Sequence, residues 1–290
     1  SVNDESLRRL GEMKLHVDSV SNSVIFSLNL DADVTIRIVG NGYFVSNDNT
    51  NLGKTIATKN YDNKDIKANG SNFDVFISNK DTIKGIYLTN VVFDLSELAY
   101  CTSLTVFVDW NTPSILTGDI SIFKNLKNLI NIHIEGSKQI TGQLSDIAGL
   151  TNLTTLFLPS LNITGQLSDM AGMTNLTTLS LSSPNITGQL SDMDKFPNLT
   201  NCINMGININ IGDFAKLPDG INFFSGGNGT TWSSRTSPAH VICTNKSYGG
   251  TVVTGQTIDK ILQDLSNCVF DKTNLLNWQS VLIFNVNRTS

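Results

Sequence analysis

The heptapeptide Ile-Thr-Gly-Gln-Leu-Ser-Asp occurs three times, at residues 140–146, 163–169 and 186–192, with a constant spacing of 23 residues. Between the copies runs a second repeated phrase, Leu-Thr-Asn-Leu-Thr-Thr-Leu-Phe-Leu at 150–158 and Met-Thr-Asn-Leu-Thr-Thr-Leu-Ser-Leu at 173–181. Repetition at a period of this size is typical of solenoids, in which each repeat is a structural unit stacked on its neighbours. The chain is therefore predicted to be a repeat protein.

Two further features extend the repeat beyond its perfect copies. A glycine recurs once per repeat, at Gly118, Gly142, Gly165, Gly188 and Gly212. A strand signature, two inward positions separated by one outward residue, starts at Ile86, Phe107, Ile132, Leu156, Leu179, Cys202 and Ile221. These starts define about seven coils, more than the roughly three that are needed to bury a continuous core.

The phrase Leu-x-x-Leu-x-x-Leu-x-Leu, followed by Ile-Thr-Gly-x-Leu, resembles the leucine-rich repeat, and its second half is similar to the class best known from plant receptors. The resemblance implies an α+β, β-rich solenoid, a horseshoe or arc whose parallel strands line a concave surface. The family usually places asparagine three residues after the second strand leucine, where it forms a ladder between coils. Leu161 and Pro184 occupy this position and Asn162 and Asn185 follow it, so the ladder is either shifted by one residue or missing.

Hydrophobic periodicity divides the chain into three predicted domains. Residues 1–80 contain a period-two pattern with a hairpin-type Asn41-Gly42, which predicts an antiparallel β domain of sandwich type that caps the first coil. Residues 81–224 hold the solenoid. Residues 225–290 lose the period, and they predict a strand, a helix and a strand that cap the other end.

The terminal helix sequence Ile-Asp-x-Ile-Leu-x-Asp-Leu-Ser starts at residue 258. Together with the Asn-rich β domain and the Thr-Gly-Asp/Gln repeats, it resembles leucine-rich-repeat proteins of gut Bacteroidetes and their crAss-like phages. The resemblance implies a non-enzymatic binding or structural protein. We expect a phage virion component (a fibre, tail or capsid accessory protein) that contacts the host surface, with a bacterial cell-surface or secreted adhesin as the alternative.

Composition and motif content argue against several other classes. Charged residues make up 16% of the chain and the net charge is −5, without a lysine or arginine cluster, so nucleic acid is not an expected partner. No apolar run is long enough for membrane insertion. His16, His133 and His240 lie in different regions and suggest no catalytic set, while the recurrent aspartates of the heptapeptides are expected to be polar turn residues. We therefore expect no enzyme activity, no cofactor and no metal site.

The cysteines and the first residue bear on localisation. Cys101, Cys202, Cys243 and Cys268 lack the paired spacing of metal or redox sites, and we expect free thiols in a protein that is not secreted. Ser1 is interpreted as a start from which methionine was trimmed, with removal of a signal peptide as the alternative. These features favour a virion over the bacterial surface or secretion.

The outward positions of the strand signature, with those two residues further along, predict a binding surface. The candidate ligand-binding residues there are Tyr87, Trp110, His133, Glu135, Phe157, Met205 and Phe224. Tryptophan and tyrosine are common in binding hot spots, and an aromatic row suits sugar rings. A host-surface glycan is the first ligand that we expect and a protein the second. Alternatively, these aromatic side chains pack on each other or under the N-terminal domain.

The first fifteen residues predict an anchoring segment. Leu7, Leu10 and Met13 are spaced as one face of an amphipathic helix that follows acidic residues. The functional interpretation is that they bind another virion or surface protein, or a second copy of the chain in a homo-oligomer. The alternative is a frayed terminus.

Overall fold

The computed structural model describes residues 4–110, 114–135, 139–158, 162–181, 183–205, 208–210 and 222–225; at 190–191 and from 201 onward only the backbone is described. Contacts divide the chain into two compact units, residues 1–153 and residues 154–290. The predicted strand, helix and strand of the C-terminal region lie outside the described residues.

Unit 1 begins with helix α1 (Asp4–Gly11) and an antiparallel sheet that follows the period-two pattern. The strands are β1 (Met13–Leu30), β2 (Thr35–Val45), β3 (Asn51–Gly53), β4 (Thr55–Ala57) and β5 (Asp65–Ile77), with a 3-10 helix at Lys59–Tyr61. β5 lies between β1 and β2, and β3 and β4 pair with the other edge of β2. Met13, Leu15 and Val17 of β1 are buried while the residues between them are partly exposed, as in a half-buried strand.

The pairing of the long strands β1, β2 and β5 is irregular at one level of the sheet. The register shifts after Val20 in β1 and after Gly40 in β2, and Gly70 of β5 pairs opposite Val20. Gly70 has a φ of +128°, and a Cβ at this position would lie 2.3 Å from the Asn41 carbonyl oxygen. Bulges of this kind bend a strand. The N-terminal strands are therefore hydrogen-bonded as one continuous antiparallel sheet with an irregularity at this level.

Unit 1 continues with coils that contribute to two parallel ladders. The front strands are β6 (Ile83–Leu88), β8 (Val106–Asp109) and β10 (Asn131–Ile134). The back strands are β7 (Val92–Asp94), β9 (Ile115–Asp119) and β11 (Gln139–Gln143), and the 3-10 helices are Lys80–Thr82, Leu95–Leu98, Ile120–Asn125 and Leu144–Ile147. Ile86, Phe107 and Ile132 share one register position and are buried, as the strand signature predicts.

Unit 2 repeats this arrangement. Its front strands are β12 (Thr155–Leu158), β14 (Thr178–Leu181), β16 (Asn201–Met205) and β18 (Asn222–Ser225). Its back strands are β13 (Asn162–Gln166), β15 (Ile186–Gln189) and β17 (Asn208–Asn210), with 3-10 helices at Leu167–Met170 and Leu190–Lys195. Leu156, Leu179 and Cys202 are aligned as predicted, but Cys202 pairs with Phe223 rather than with Ile221. The last coil is thus displaced by two residues from its predicted phase.

The recurring glycine is explained by the close approach of neighbouring coils at the back strands. Gly142 has a φ of +138°, and a Cβ there would lie 2.3 Å from a side-chain carbon of Ile120 in the preceding coil. Only glycine adopts this backbone and leaves that space without strain. The pattern, period and register in both units fit the predicted solenoid of leucine-rich-repeat type.

Asparagine side chains just before the front strands form hydrogen bonds between neighbouring coils. The side-chain amides of Asn128, Asn152 and Asn198 donate to the carbonyl oxygens of Thr102, Lys127 and Thr174, at 3.0, 3.3 and 3.0 Å. Threonines beside them bridge coils in the same way, with Thr177 Oγ1 donating to the Thr154 carbonyl oxygen. These bonds satisfy carbonyl groups at the turn where each coil meets the next.

The N-terminal sheet and helix are bonded to the first coil. Residues Phe26 to Leu30 of β1 pair antiparallel with β6 and so extend the front sheet by one strand. From α1, Arg8 donates to both carboxylate oxygens of the buried Glu97, at 3.0 and 2.7 Å. The backbone N–H of Lys14 donates to the same carboxylate. This carboxylate therefore fixes the start of the chain against the first coil.

Candidate binding site on the front strands

The solvent side of β6, β8 and β10, called here the front face, is the predicted concave surface within unit 1. Tyr87, Val108 and His133 occupy one register position across the three strands. The ladder continues for one more residue, because the N–H of Trp110 donates to the Leu88 carbonyl oxygen at 3.0 Å. These outward positions therefore lie on hydrogen-bonded strands, which hold their backbone in fixed places.

Trp110, His133 and Glu135 form one contact group, called here the Trp110 cluster. The indole of Trp110 lies against the imidazole of His133, with ring centroids 5.2 Å apart and planes 33° from parallel. His133 Nε2 lies 2.8 Å from a carboxylate oxygen of Glu135. Trp110 remains 49% exposed, whereas His133 and Glu135 are partly buried. The cluster presents an aromatic surface beside a carboxylate.

The other half of the front face is formed by Tyr87 and by β1. The amide of Asn29, on β1, makes a long contact of 3.5 Å to the Tyr87 hydroxyl. Asn29 also lies over Gly85, where a Cβ would meet its side chain at 2.8 Å. Val108 was expected to face solvent, but it is only 2% exposed. This expectation was wrong because the larger Tyr87 and His133 flank the valine on both neighbouring strands.

Asp109 places a carboxyl group beneath the Trp110 cluster. It is aligned with the apolar Leu88 of β6 and Ile134 of β10 and is fully buried. Within the described residues, neither of its carboxylate oxygens has a hydrogen-bond partner. The nearby Ser114 hydroxyl donates to the Thr89 carbonyl oxygen, and its proximity to Asp109 only partly offsets the effect of burial on the pKa of that carboxyl group. Burial, together with the negative charge of Glu135, raises the pKa of Asp109 to about 7.

The remaining predicted ligand-binding residues belong to unit 2. Phe157 is partly exposed on β12 and is aligned with Ser180 on β14. Ser180 was expected to face solvent, but it is fully buried and its hydroxyl has no partner in the described part of the chain. The backbones of Met205 and Phe224 lie in β16 and β18, and their side chains are outside the described residues. The structure therefore brings together Trp110, His133 and Glu135 of the predicted set, with Tyr87 on the same face.

The N-terminal helix is shorter than predicted and carries only two of the three predicted anchoring residues. Helix α1 ends at Gly11, and Leu7 and Leu10 on it are 55% and 51% exposed. Met13 is not part of this surface: it is the first residue of β1 and is completely buried in the N-terminal sheet. The helical spacing of the three side chains was misleading, because the period changes from helix to strand between Gly11 and Met13.

The recurrent aspartates have a structural role in the described coils. The carboxylates of Asp169 and Asp192 accept the backbone N–H groups of Gln166 and Gln189, at 2.9 and 2.8 Å, and so cap the 3-10 helices. Among the residues that the structure describes, no group of three or more His, Cys, Asp or Glu side chains could hold a metal ion. None of the described helices is long and apolar enough to cross a membrane.

The site prediction from sequence omits two contributors. Asp109 could have been found, because β6, β10, β12 and β14 have leucine or isoleucine at its position, and a carboxyl group there departs from this pattern. Asn29 carries no comparable signal, since it reaches the front face only through the pairing of β1 with β6.

No family model and no curated protein matches this chain. Among solved structures it is similar to the leucine-rich-repeat ectodomain of the plant membrane receptor kinase GASSHO1/SCHENGEN3 from Arabidopsis thaliana, in complex with CASPARIAN STRIP INTEGRITY FACTOR 2. The identity is 20% and the TM-score 0.37, over 60% of this chain and 22% of that chain. The PEPR1–AtPEP1 complex is similar at 13% identity and a TM-score of 0.31, over 70% of this chain and 38% of that chain. The chain thus spans well under half the length of either protein, and the assignment of the coils rests on their own pattern and register.

Proposed function

We propose that this protein is a non-enzymatic binding protein whose front face holds a ligand at the Trp110 cluster. The observation that carries the proposal is a half-exposed tryptophan fixed on a strand ladder beside a histidine–glutamate pair. Tryptophan is among the residues most often responsible for binding energy, and large exposed aromatic side chains in contact with one another are uncommon without a partner. The rigid strands would keep the entropic cost of binding low.

We further propose that the ligand is a molecule of the host surface, a protein or a glycan, and that the protein acts as a phage virion component. The alternative is a bacterial cell-surface or secreted adhesin, which would bind its ligand through the same front face. Cys101 is a buried thiol whose pKa is raised by burial to about 12, so it is unreactive in either setting and does not distinguish them. Leu7 and Leu10, exposed on α1, are the proposed contacts to the rest of the particle or to a second copy.

Binding of the purified protein to host cells and to a glycan array tests the proposal. Trp110→Ala should reduce binding at least about tenfold, because a hot-spot truncation costs roughly 2 kcal/mol. The melting temperature should change little, since the side chain is half exposed. Ile130→Ala is the matched control, because Ile130 is 44% exposed just before β10 and lies outside the cluster. Unchanged binding by Trp110→Ala would show that the front face is scaffold.

A further inference from the structure

We infer that the Trp110 cluster selects a cationic group, the guanidinium or ammonium of an arginine or lysine side chain on a protein partner. This inference rests on the proposed function and names the chemical class of its ligand. It follows from three observations on unit 1: the ring that the site offers, the charges around it, and the buried carboxyl group below it.

The ring is suited to a cation. Tryptophan attracts a cation over its face more strongly than tyrosine or phenylalanine does, and Trp110 is half exposed. His133 holds it in place from one side, at a centroid distance of 5.2 Å. A guanidinium stacks on such a ring while its N–H groups remain available to a carboxylate. Glu135, bonded to His133, supplies that carboxylate.

The charges around the ring are negative. Glu135 follows β10 and Asp109 ends β8, so both acids belong to coils that border Trp110. On the third strand, β6, the cation Lys84 lies 3.6 Å from the carboxylate of Asp31 and is partly neutralised there. Among the described side chains of these strands, Tyr87 and His133 are the other titratable groups. An anionic ligand would therefore meet repulsion, and a cation would not.

Asp109 should make the binding of a cation depend on pH, which is not expected for a neutral ligand. Its carboxyl group is fully buried without a partner among the described residues, and its pKa is raised to about 7. A bound cation favours the ionised carboxylate, so binding should release a proton in this range. By linkage, the affinity for a cation should rise as the pH rises through about 7. A neutral sugar would bind with little dependence on this group.

The test measures binding of Nα-acetyl-arginine amide, with Nα-acetyl-citrulline amide as its neutral analogue, by NMR titration of the full chain. At pH 8 we expect the arginine compound to bind about tenfold more tightly than the citrulline compound. That preference should fall severalfold at pH 5.5. Glu135→Gln should remove most of the preference, and Ile130→Ala should leave it unchanged.

Two variants separate the sources of the pH dependence. Asp109→Asn should flatten the change in affinity between pH 5.5 and pH 8, because it removes the proton that the cation displaces. His133→Gln should retain most of that change, because it leaves the Asp109 carboxyl group in place. If the change persists in Asp109→Asn and disappears in His133→Gln, the role of Asp109 is overturned.

The failure of this inference differs from a failure of the proposed function. Equal binding of arginine and citrulline compounds, or binding of methyl glycosides or sialylated sugars in their place, would overturn the selection of a cation. So would host-cell binding that depends on Trp110 without any binding of the arginine compound. In both cases the front face would still be the binding surface. Host-cell binding that is unaffected by Trp110→Ala would contradict the proposed function itself.

Discussion

The coils of unit 1 and those of unit 2 share a backbone but differ in what their front strands present. In unit 2 the strand position that matches Tyr87 and His133 holds Phe157 and the buried Ser180, while the position two residues earlier holds the identical pair Thr155 and Thr178. In unit 1 the corresponding faces carry a tyrosine, a tryptophan and a histidine, with a buried aspartate at an inward position. Residues that recur from coil to coil maintain the backbone, whereas residues that depart from the repeat are candidates for binding.

The third residue of the 3-10 helix has a different role in unit 1 and in unit 2. Glu97 of the first coil stands where Asp169 and Asp192 stand in unit 2, as the third residue of its 3-10 helix. The aspartates accept a backbone N–H of their own coil. The glutamate is covered by α1 and accepts from Arg8 and from the backbone of Lys14. The same position therefore caps a coil in unit 2 and fixes another element in unit 1.

The largest effect should come from breaking this contact. Glu97→Ala should lower the free energy of unfolding of unit 1 by about 3–5 kcal/mol, because the largely buried guanidinium of Arg8 keeps only the exposed Glu5 as a partner and the Lys14 N–H loses its acceptor. Urea unfolding measures the loss, and hydrogen exchange should show that α1 loses protection.

Asp192→Ala is the matched variant at the equivalent position. It removes one cap and should cost about 1 kcal/mol. Equal costs for Glu97→Ala and Asp192→Ala would mean that burial by α1 does not distinguish the two coils.

The second prediction concerns the inward positions, which both units share. Leu179→Ala should cost about 3 kcal/mol, because Leu179 is fully buried between Leu156 and Cys202 and its removal leaves a cavity. Thr178→Ala, at the partly exposed neighbouring residue of the same strand, should cost less than about 1 kcal/mol. Similar midpoints of urea unfolding for the two variants would contradict the assignment of inward and outward faces.

The repeat itself was predictable because each coil copies the same inward residues. The register of Leu156 with Leu179 follows directly from a 23-residue spacing. Burial of Val108 and Ser180 was not predictable, since it depends on side chains of neighbouring strands rather than on the period. The hydrogen bonds formed by Asn128, Asn152 and Asn198 were also missed, although asparagine recurs there, because the bonded carbonyl groups lie in the preceding coil.

The third prediction exploits the buried carboxyl group of unit 1. The pKa of Asp109 is raised from 3.8 to about 7, so the folded protein holds this proton more tightly than the unfolded chain does. The free energy of unfolding should therefore fall as the pH rises from about 4 to about 7, and then level off. Asp109→Asn should remove this decrease, so the substitution should favour the folded state more at pH 8 than at pH 4.

Asp119, which is exposed at the cap of the next coil, provides the opposite case. Although some burial opposes it, hydrogen bonds from Ser121 and Thr141 lower the pKa of Asp119 below its ordinary value. Its contribution to stability should therefore be present at neutral pH and be lost on acidification. If Asp109→Asn and Asp119→Asn change the pH dependence of urea unfolding in the same direction, the burial assigned to Asp109 is wrong.

The smallest effect should be common to both units, since it concerns the residues that recur. Asn152→Ala in unit 1 and Asn198→Ala in unit 2 each remove a side-chain hydrogen bond to the preceding coil, of 3.3 and 3.0 Å. Each should cost about 0.5–1 kcal/mol in urea unfolding, because these bonds are exposed and water replaces part of them. Lys124→Ala, at an exposed position of a 3-10 helix, should cost less than either and serves as the control.

Both asparagine variants should bind the ligand as the parent protein does. An asparagine variant that lost binding while keeping its stability would show that residues repeated for the backbone also contribute to recognition, and the distinction between the two units would then fail.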